Sequence, residues 1–471
     1  MKLSIEEFAY VDSATLFSFV AHQEWSIFLD SGVIKGQAPV SKHADFDVLA
    51  IKPKTTLVTN NDITAVTKGE QSRQVKGDPL IVLQELLNEL QIASACEVSG
   101  LNPAYLPGAL GYTSYDLARR YESIADIADD QEQLPEMAMG IYHCIVLVDH
   151  QVNKTFLISL INSEKEDREE VIEWRYLINS LSESTEVDID RFSEKLCSAE
   201  MLENMSRDDY QYRFDKVKNY IIEGDCYQVN LAKQFSTKVK GDSWQTYNYL
   251  REMSPAPYGV YMNLPFAQVL SNSPESFIQC RDRKVVTSPI KGTRPRIHED
   301  KSRDKKIAEE LFNSPKDRAE NLMIVDLMRN DLSACCELGS VAVPKLFSLH
   351  SFANVHHLIS TITGTLKKNL HSLDLLRRCL PGGSITGAPK IRAMQIIEEL
   401  EPDRRGLYCG AIAYIGIDGN METNIAIRTI VIKDGIARYS AGGGLVIDSD
   451  VNEEYQEVAD KAKMMTEALF V

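Results

Sequence analysis

Through position 162 the apolar residues come in short runs: Ser26-Ile-Phe-Leu29, Phe46-Asp-Val-Leu-Ala-Ile51 and Gly140-Ile-Tyr-His-Cys-Ile-Val-Leu-Val148. Runs of this kind predict strands, whereas the spacing across 79–90 predicts an amphipathic helix. Positions 163–205 are rich in Glu, Lys and Ser and read as a charged linker carrying a helix over 169–181. From position 206 the pattern is denser. Tyr210, Phe214, Val217 and Ile221 repeat at helical spacing, and Gly224 follows as a C-cap. Strands are predicted over 259–262, 268–271, 284–290, 410–417, 425–432 and 437–440. Helices are predicted over 315–328, 373–379, 388–399 and 453–469. Sheet meanders with interspersed helices argue for the α+β class rather than a doubly wound α/β sheet. The chain thus divides into 1–162, a linker over 163–205, and 206–471.

The 471 residues are 44% hydrophobic and 25% charged, enough for a full core without disulfides or a structural metal. A net charge of −17 argues against nucleic acid or an anionic membrane as partner. An anionic substrate would need locally built positive charge, from Lys, Arg, helix N-termini or a bound cation. Nine scattered cysteines, an adjacent Cys335-Cys336 pair among them, show no disulfide or metal framework and read as reduced thiols. With no apolar run of membrane-spanning length, the expected location is the cytoplasm.

Two acidic helix faces are candidates for chemistry. Asp317 and Glu320 lie three apart, as do Glu454 and Glu457. Ser314, Pro315 and Asp317 suit a capping box, as do Asp450 and Glu453, but capping does not account for Glu320 or Glu457. Those carboxylates either lie on solvated faces or hold a divalent cation, for which oxygen-only ligands favour Mg²⁺. The glycine-rich segments Pro381–Lys390, Ser440–Gly444 and Gly406–Gly410 match no phosphate loop; they are tight turns or backbone cradles for an anion. Arg428, in the apolar run Ile425-Ala-Ile-Arg-Thr-Ile430, either pairs with a buried protein carboxylate or holds one on a ligand. Lys291 is either a solvated strand-end charge or a desolvated amine able to act as a nucleophile. The segment Gly224-Asp-Cys-Tyr-Gln228 lacks the glycine that a glutamine-hydrolysing cysteine elbow carries two residues on, so the chain is not expected to make ammonia itself.

The strings GDCYQVNLA, SNSPESF, SPIKGTRPR, KDRAENLMIVDLMRNDL, VHHLIST, PGGSITGAPK, AIRT, SAGGG and EEYQEVADK occur in one order across 206–463 and resemble the chorismate-utilising enzyme family. Glu24-Trp-Ser-Ile-Phe-Leu-Asp-Ser-Gly32 and Gly108-Ala-Leu-Gly-Tyr112 resemble the N-terminal region of its chorismate-aminating members. The resemblance implies packed antiparallel sheets with helices outside. It implies Mg²⁺ on Glu320 and Glu457, with Asp317 and Glu454 acting through water. Arg428 and Tyr414 would hold the enolpyruvyl carboxylate with the N–H groups of Gly442, Gly443 and Gly444, and His357, Ser384 and Thr386 would line the pocket. Gln228 stands where members that activate water carry lysine, and Lys291 where anthranilate-forming members usually carry alanine. The expected activity is therefore a transferase converting chorismate and ammonia to 4-amino-4-deoxychorismate, toward p-aminobenzoate and folate. Lys291 would be the nucleophile and Glu275 the acid, with a separate glutamine amidotransferase subunit supplying the ammonia in a heterodimer. An anthranilate-forming subunit and a non-catalytic amino-acid-sensing scaffold for an amidotransferase are the alternatives. Trp25, Leu29 and Ser31 resemble a tryptophan pocket, the other reading being an ordinary core strand.

Overall fold

The computed structural model describes residues 1–34, 45–90, 104–161, 169–183, 200–352 and 355–470. Its strands form two large sheets of twelve strands each among the described residues, and every pairing within them is antiparallel. The first runs from Lys2–Ala9 through Lys154–Ile161, Cys144–Asp149, Phe46–Ala50 and Ser26–Asp30. It continues through Tyr258–Leu264, Ala267–Ser273, Thr429–Lys433, Ile436–Leu445 and Gln228–Lys238 to Leu202–Glu203, with Gly387–Ala388 also paired to Gln228–Lys238. The second runs from Ile290–Pro295 through Val355–Thr365, Lys284–Thr287, Ser276–Arg281, Met421–Asn424 and Ala411–Gly416. It continues through Gly108–Thr113, Met137–Tyr142, Thr55–Asn60 and Ile63–Lys68 to Gln71–Lys76, with Ala342–Ser351 also paired to Val355–Thr365. Each sheet draws strands from both sides of the 163–205 segment.

The sheets face one another across an apolar layer that includes Ile27, Val48, Leu110, Tyr112, Met262 and Ile412. Helices cover the outer faces. Phe214 and Val217 of Arg207–Glu223 and Met465 of Val451–Phe470 pack on the first sheet, and Ile324 and Met328 of Pro315–Cys335 on the second. This is the expected α+β arrangement, and its all-antiparallel order fits chain that returns by short turns.

Three local expectations need correction. The run 140–148 is two strands, Met137–Tyr142 in one sheet and Cys144–Asp149 in the other, with the chain crossing at His143. Residues 425–428 are not strand; the strand begins at Thr429, after Arg428 at φ 51°. The charged segment is not only a linker. Its helix Glu169–Glu183 buries Val171, Trp174 and Ile178 in the core, and Glu170 pairs with Lys54 at 2.7 Å. Residues 163–168 and 184–199 of that segment lie outside the described residues, and Leu202–Glu203 near its end pairs with Gln228–Lys238. No described helix is long and apolar enough to cross a membrane.

Candidate active site

Lys291 reaches its position through an irregularity in the sheet. The pairing of Ile290–Pro295 with Val355–Thr365 shifts register between Ile290 and Thr293, and such a bulge re-aims the residues beside it. Gly292 within the bulge has φ +82°, and a Cβ there would lie 2.9 Å from Asp317 Oδ1. Only glycine lets the start of the Pro315–Cys335 helix come so close. Lys291 Nζ lies above the Gly444 backbone, 3.4 Å from where a Cβ would be, and Gln228 Nε2 lies 2.5 Å from the same point. Burial pushes the Lys291 amine below its ordinary value; Glu320 opposes this, Lys461 adds to it, and Glu275 and Glu457 oppose it.

Glu275 sits buried in the turn between Ala267–Ser273 and Ser276–Arg281, with its N–H donating to Ser273 Oγ at 3.2 Å. Burial raises its carboxyl above the usual range, against hydrogen bonds from Ser384 and the Ile290 N–H and against the charge of Lys291. The same cause therefore favours a neutral amine and a protonated acid side by side.

Arg428 forms no ion pair with a described carboxylate, so the structural-partner reading has no support among the described residues. Burial holds it below the usual guanidinium value, with Glu275 the opposing charge. Its left-handed turn ends the pairing of Thr429–Lys433 with Ile436–Leu445, which stops at Ile430–Tyr439. Beyond that point Gly442, Gly443 and Gly444 are paired on one side only, with Ala232, Leu231 and Asn230. His357 is buried nearby, shares a 2.9 Å hydrogen bond with Thr293 Oγ1, and is pushed down to about 4 by burial and then by Arg428. A neutral imidazole, a guanidinium and one free strand edge are suited to an anion.

The Val451–Phe470 helix lays its acidic face over Gly443, where a Cβ would lie 2.9 Å from Glu454 Oε2 and 3.8 Å from Glu457 Oε1. Burial raises Glu320 and Glu454; Asp317 and Glu454 add to the rise of Glu320, and Glu457 to that of Glu454. Glu454 also accepts from Ser449 Oγ at 2.6 Å and lies 3.9 Å from Lys316. Against the upward push of burial, Lys461 at 2.6 Å holds Glu457 below the usual range. Asp317 is taken by Arg294 at 2.9 Å, so the expected capping box keeps only its Ser314 half, with the Asp317 N–H on Ser314 Oγ at 3.3 Å. Among the described residues no three such groups converge closely enough to hold an ion. By chemistry the set suits a hard divalent cation: its donors are carboxylate oxygens only, and Glu320 and Glu454 are raised partly by their acidic neighbours.

A model of the chorismate binding enzyme family matches residues 41–467. The chain belongs to that family. It is 43% identical over 453 residues to aminodeoxychorismate synthase component 1 of Escherichia coli K12, covering 96% of this chain and 95% of the relative. Among solved structures it resembles anthranilate synthase component I from Streptococcus pneumoniae TIGR4, with TM-score 0.76, 32% identity and 92% and 94% of the two chains covered. The menaquinone-specific isochorismate synthase of Escherichia coli shares the fold at TM-score 0.72 and 17% identity, covering 99% and 94%.

In this chorismate-binding enzyme not every expected residue faces the site just described. Tyr414 is turned the other way. Its hydroxyl bonds the backbone of Leu106, and its ring meets Tyr105 at 4.8 Å on the wall of a separate cavity of about 490 Å³. The Thr386 hydroxyl donates to the Gly382 carbonyl at 3.0 Å and staples its own loop. Leu29 and Ser31 line the separate cavity, but Trp25 does not; it lies in the layer between the sheets at φ 62°, its carbonyl accepting from Tyr142 at 2.7 Å. Lys461 and Lys316 escaped the sequence reading. The signal was present for Lys461, four residues after Glu457 on one helix face. Cys226 is buried and pushed up to about 11 by burial, no setting for a nucleophile.

Proposed function

We propose that this enzyme aminates chorismate at C4, giving 4-amino-4-deoxychorismate for the route to p-aminobenzoate and folate. Ammonia comes from a separate glutamine amidotransferase subunit. The observation that carries the reading is Lys291, held toward its neutral form beside a raised Glu275 in a chain 43% identical to an aminodeoxychorismate synthase component 1. Arg428 and the glycine edge bind one carboxylate of the dianion. Glu320, Glu454 and Glu457, with Asp317, would hold Mg²⁺, whose positive charge would serve the ring carboxylate. Lys291 Nζ attacks C2, the ring double bond shifts, and the C4 hydroxyl leaves as water with the Glu275 proton. Ammonia then attacks C4, the double bond shifts back, Lys291 departs from C2, and a proton returns to Glu275. The pyruvyl group stays, so a lyase must follow. Most of the rate gain comes from positioning and charge.

Chorismate, an ammonium salt and Mg²⁺ should give a product one mass unit below chorismate without pyruvate release, and a chelator should stop it. Lys291→Ala should abolish both turnover and a covalent adduct in the intact mass. Anthranilate with pyruvate as product, or near-normal turnover by Lys291→Ala, would sink the reading.

The separate cavity, walled by Leu29, Phe46, Val48, Val260 and Tyr414 with Ser31 at its edge, suits a free aromatic amino acid, and we assign it to tryptophan. Calorimetry on protein refolded free of ligand should show binding. No heat at millimolar tryptophan would make these residues ordinary core.

A further inference from the structure

The Gln228–Lys238 strand carries a row of side chains that leads away from the chorismate site. Successive strand residues alternate faces, so 228, 230 and 232 point one way. Val229, Leu231 and Phe235 pack among the outer helices, whereas Ala232 belongs to the other core. At the outer end of the row is a crevice whose lining includes Ala232, Lys233, Asp403 and Arg404 and the Arg405–Glu401 pair. Its free volume of about 10 Å³ matches one water-sized molecule. At the inner end is Gln228, next to Lys291 over Gly444. Ala232 to Gln228 is four residues, roughly 13 Å at about 3.3 Å each.

Gln228 and Asn230 are 0% and 6% exposed. Gln228 Oε1, Gln228 Nε2 and Asn230 Oδ1 have no hydrogen-bond partner among the described residues. Buried amide atoms are rarely left so, and three in a row call for a polar visitor. The basic groups beside the row are paired, Lys233 with Glu203 and Arg404 with Asp126. Arg405 bonds Glu401 at 2.7 and 2.9 Å and the Asn230 and Ile385 carbonyls at 2.9 and 2.8 Å, while Glu401 accepts from the Ala232 N–H at 2.8 Å. Past Asp403 at the crevice, which the neutral Asn204 amide bonds at 2.9 Å, an ion moving along the row would shed its hydration beside charges already paired; a small neutral molecule would not.

We infer that this row is the path by which neutral ammonia travels from the surface crevice to Lys291 and chorismate; the inference rests on the amination proposed above. Ammonia has three N–H donors for the two amide oxygens and a lone pair for the Gln228 amide.

The test uses Asn230→Leu and Ala232→Leu, each assayed with saturating ammonium salt and with glutamine plus the amidotransferase subunit. Ammonium salt also reaches the site through the opening that admits chorismate. Turnover with ammonium salt should stay near wild type and so report intact folding. Glutamine-dependent turnover should fall by about tenfold or more while glutamine hydrolysis continues and free ammonia accumulates. An unchanged ratio of the two activities, or equal loss of both, overturns the path. So does loss of the complex in sedimentation, which would make the crevice a docking contact. Failure of wild type to aminate chorismate from ammonium salt would instead sink the reading beneath it.

Discussion

Burial acts on Lys291 and Glu275 in opposite directions on the pKa scale but toward the same outcome, the uncharged form of each. Neighbouring charges set how far each goes, and for Lys291 the one cation that helps is Lys461. That ammonium also neutralises Glu457 at 2.6 Å, so removing it deletes a repelling cation and frees an attracting anion. Both changes raise the Lys291 pKa. Lys461→Met should therefore shift the acid limb of kcat/KM for chorismate to higher pH and lower activity several-fold at neutral pH, measured at constant free ammonia. Lys461→Arg should keep the limb in place. If the limb does not move in Lys461→Met, another group controls it, and a neutral Lys291 is not what the rate requires.

At the scale of elements, the helices were the legible part. The capped start at Ser314-Pro315, the helical repeat ending at Gly224 with φ 85°, and the Asp450 cap before Val451–Phe470 all act through local chemistry that a sequence displays. Strands were legible as strands but not by sheet. Residues 140–148 are apolar but for His143 because Met137–Tyr142 and Cys144–Asp149 are buried on both faces, so no alternation marks where the chain changes sheet. The same blindness hid which way Tyr414 points, since both faces of Ala411–Gly416 are buried. Arg428 misled in another way: the apolar run looked continuous, and nothing in it announced a left-handed residue that ends the ladder beside the glycines. The candidate site came from residue identities and the family pattern; the bulge at Lys291 and the roles of Lys316 and Lys461 needed the tertiary arrangement.

Across the whole molecule, the two sheets are stitched together by strands from both ends of the chain, and one buried polar network ties the N-terminus into that frame. Asp47 accepts from Ser13 Oγ, from the Ser31 N–H and Oγ at 2.7 Å each, and from His150 Nε2 at 2.8 Å; His150 Nδ1 meets Tyr10 Oη at 3.1 Å. Ser31 in turn lines the proposed amino-acid cavity. Burial alone would lower His150, but the hydrogen bond and charge of Asp47 outweigh it and raise it above 6.5, while Asp47 is held below 3.8. A raised histidine stabilises the fold fully below its unfolded value, and that contribution is lost as pH climbs through the folded one; the Asp47 contribution is lost only in acid. Glu132, pushed up to about 8 by burial, also costs stability as pH rises from 4.5 toward 8, so a fall on the alkaline side is not diagnostic by itself. The comparison with His150→Gln isolates the network. The wild-type thermal midpoint should fall more between about pH 6 and about pH 9 than that of the variant, and the two should converge at the alkaline end. Equal falls would mean that His150 stays neutral in the fold and that Asp47 is held by Ser13 and Ser31 alone.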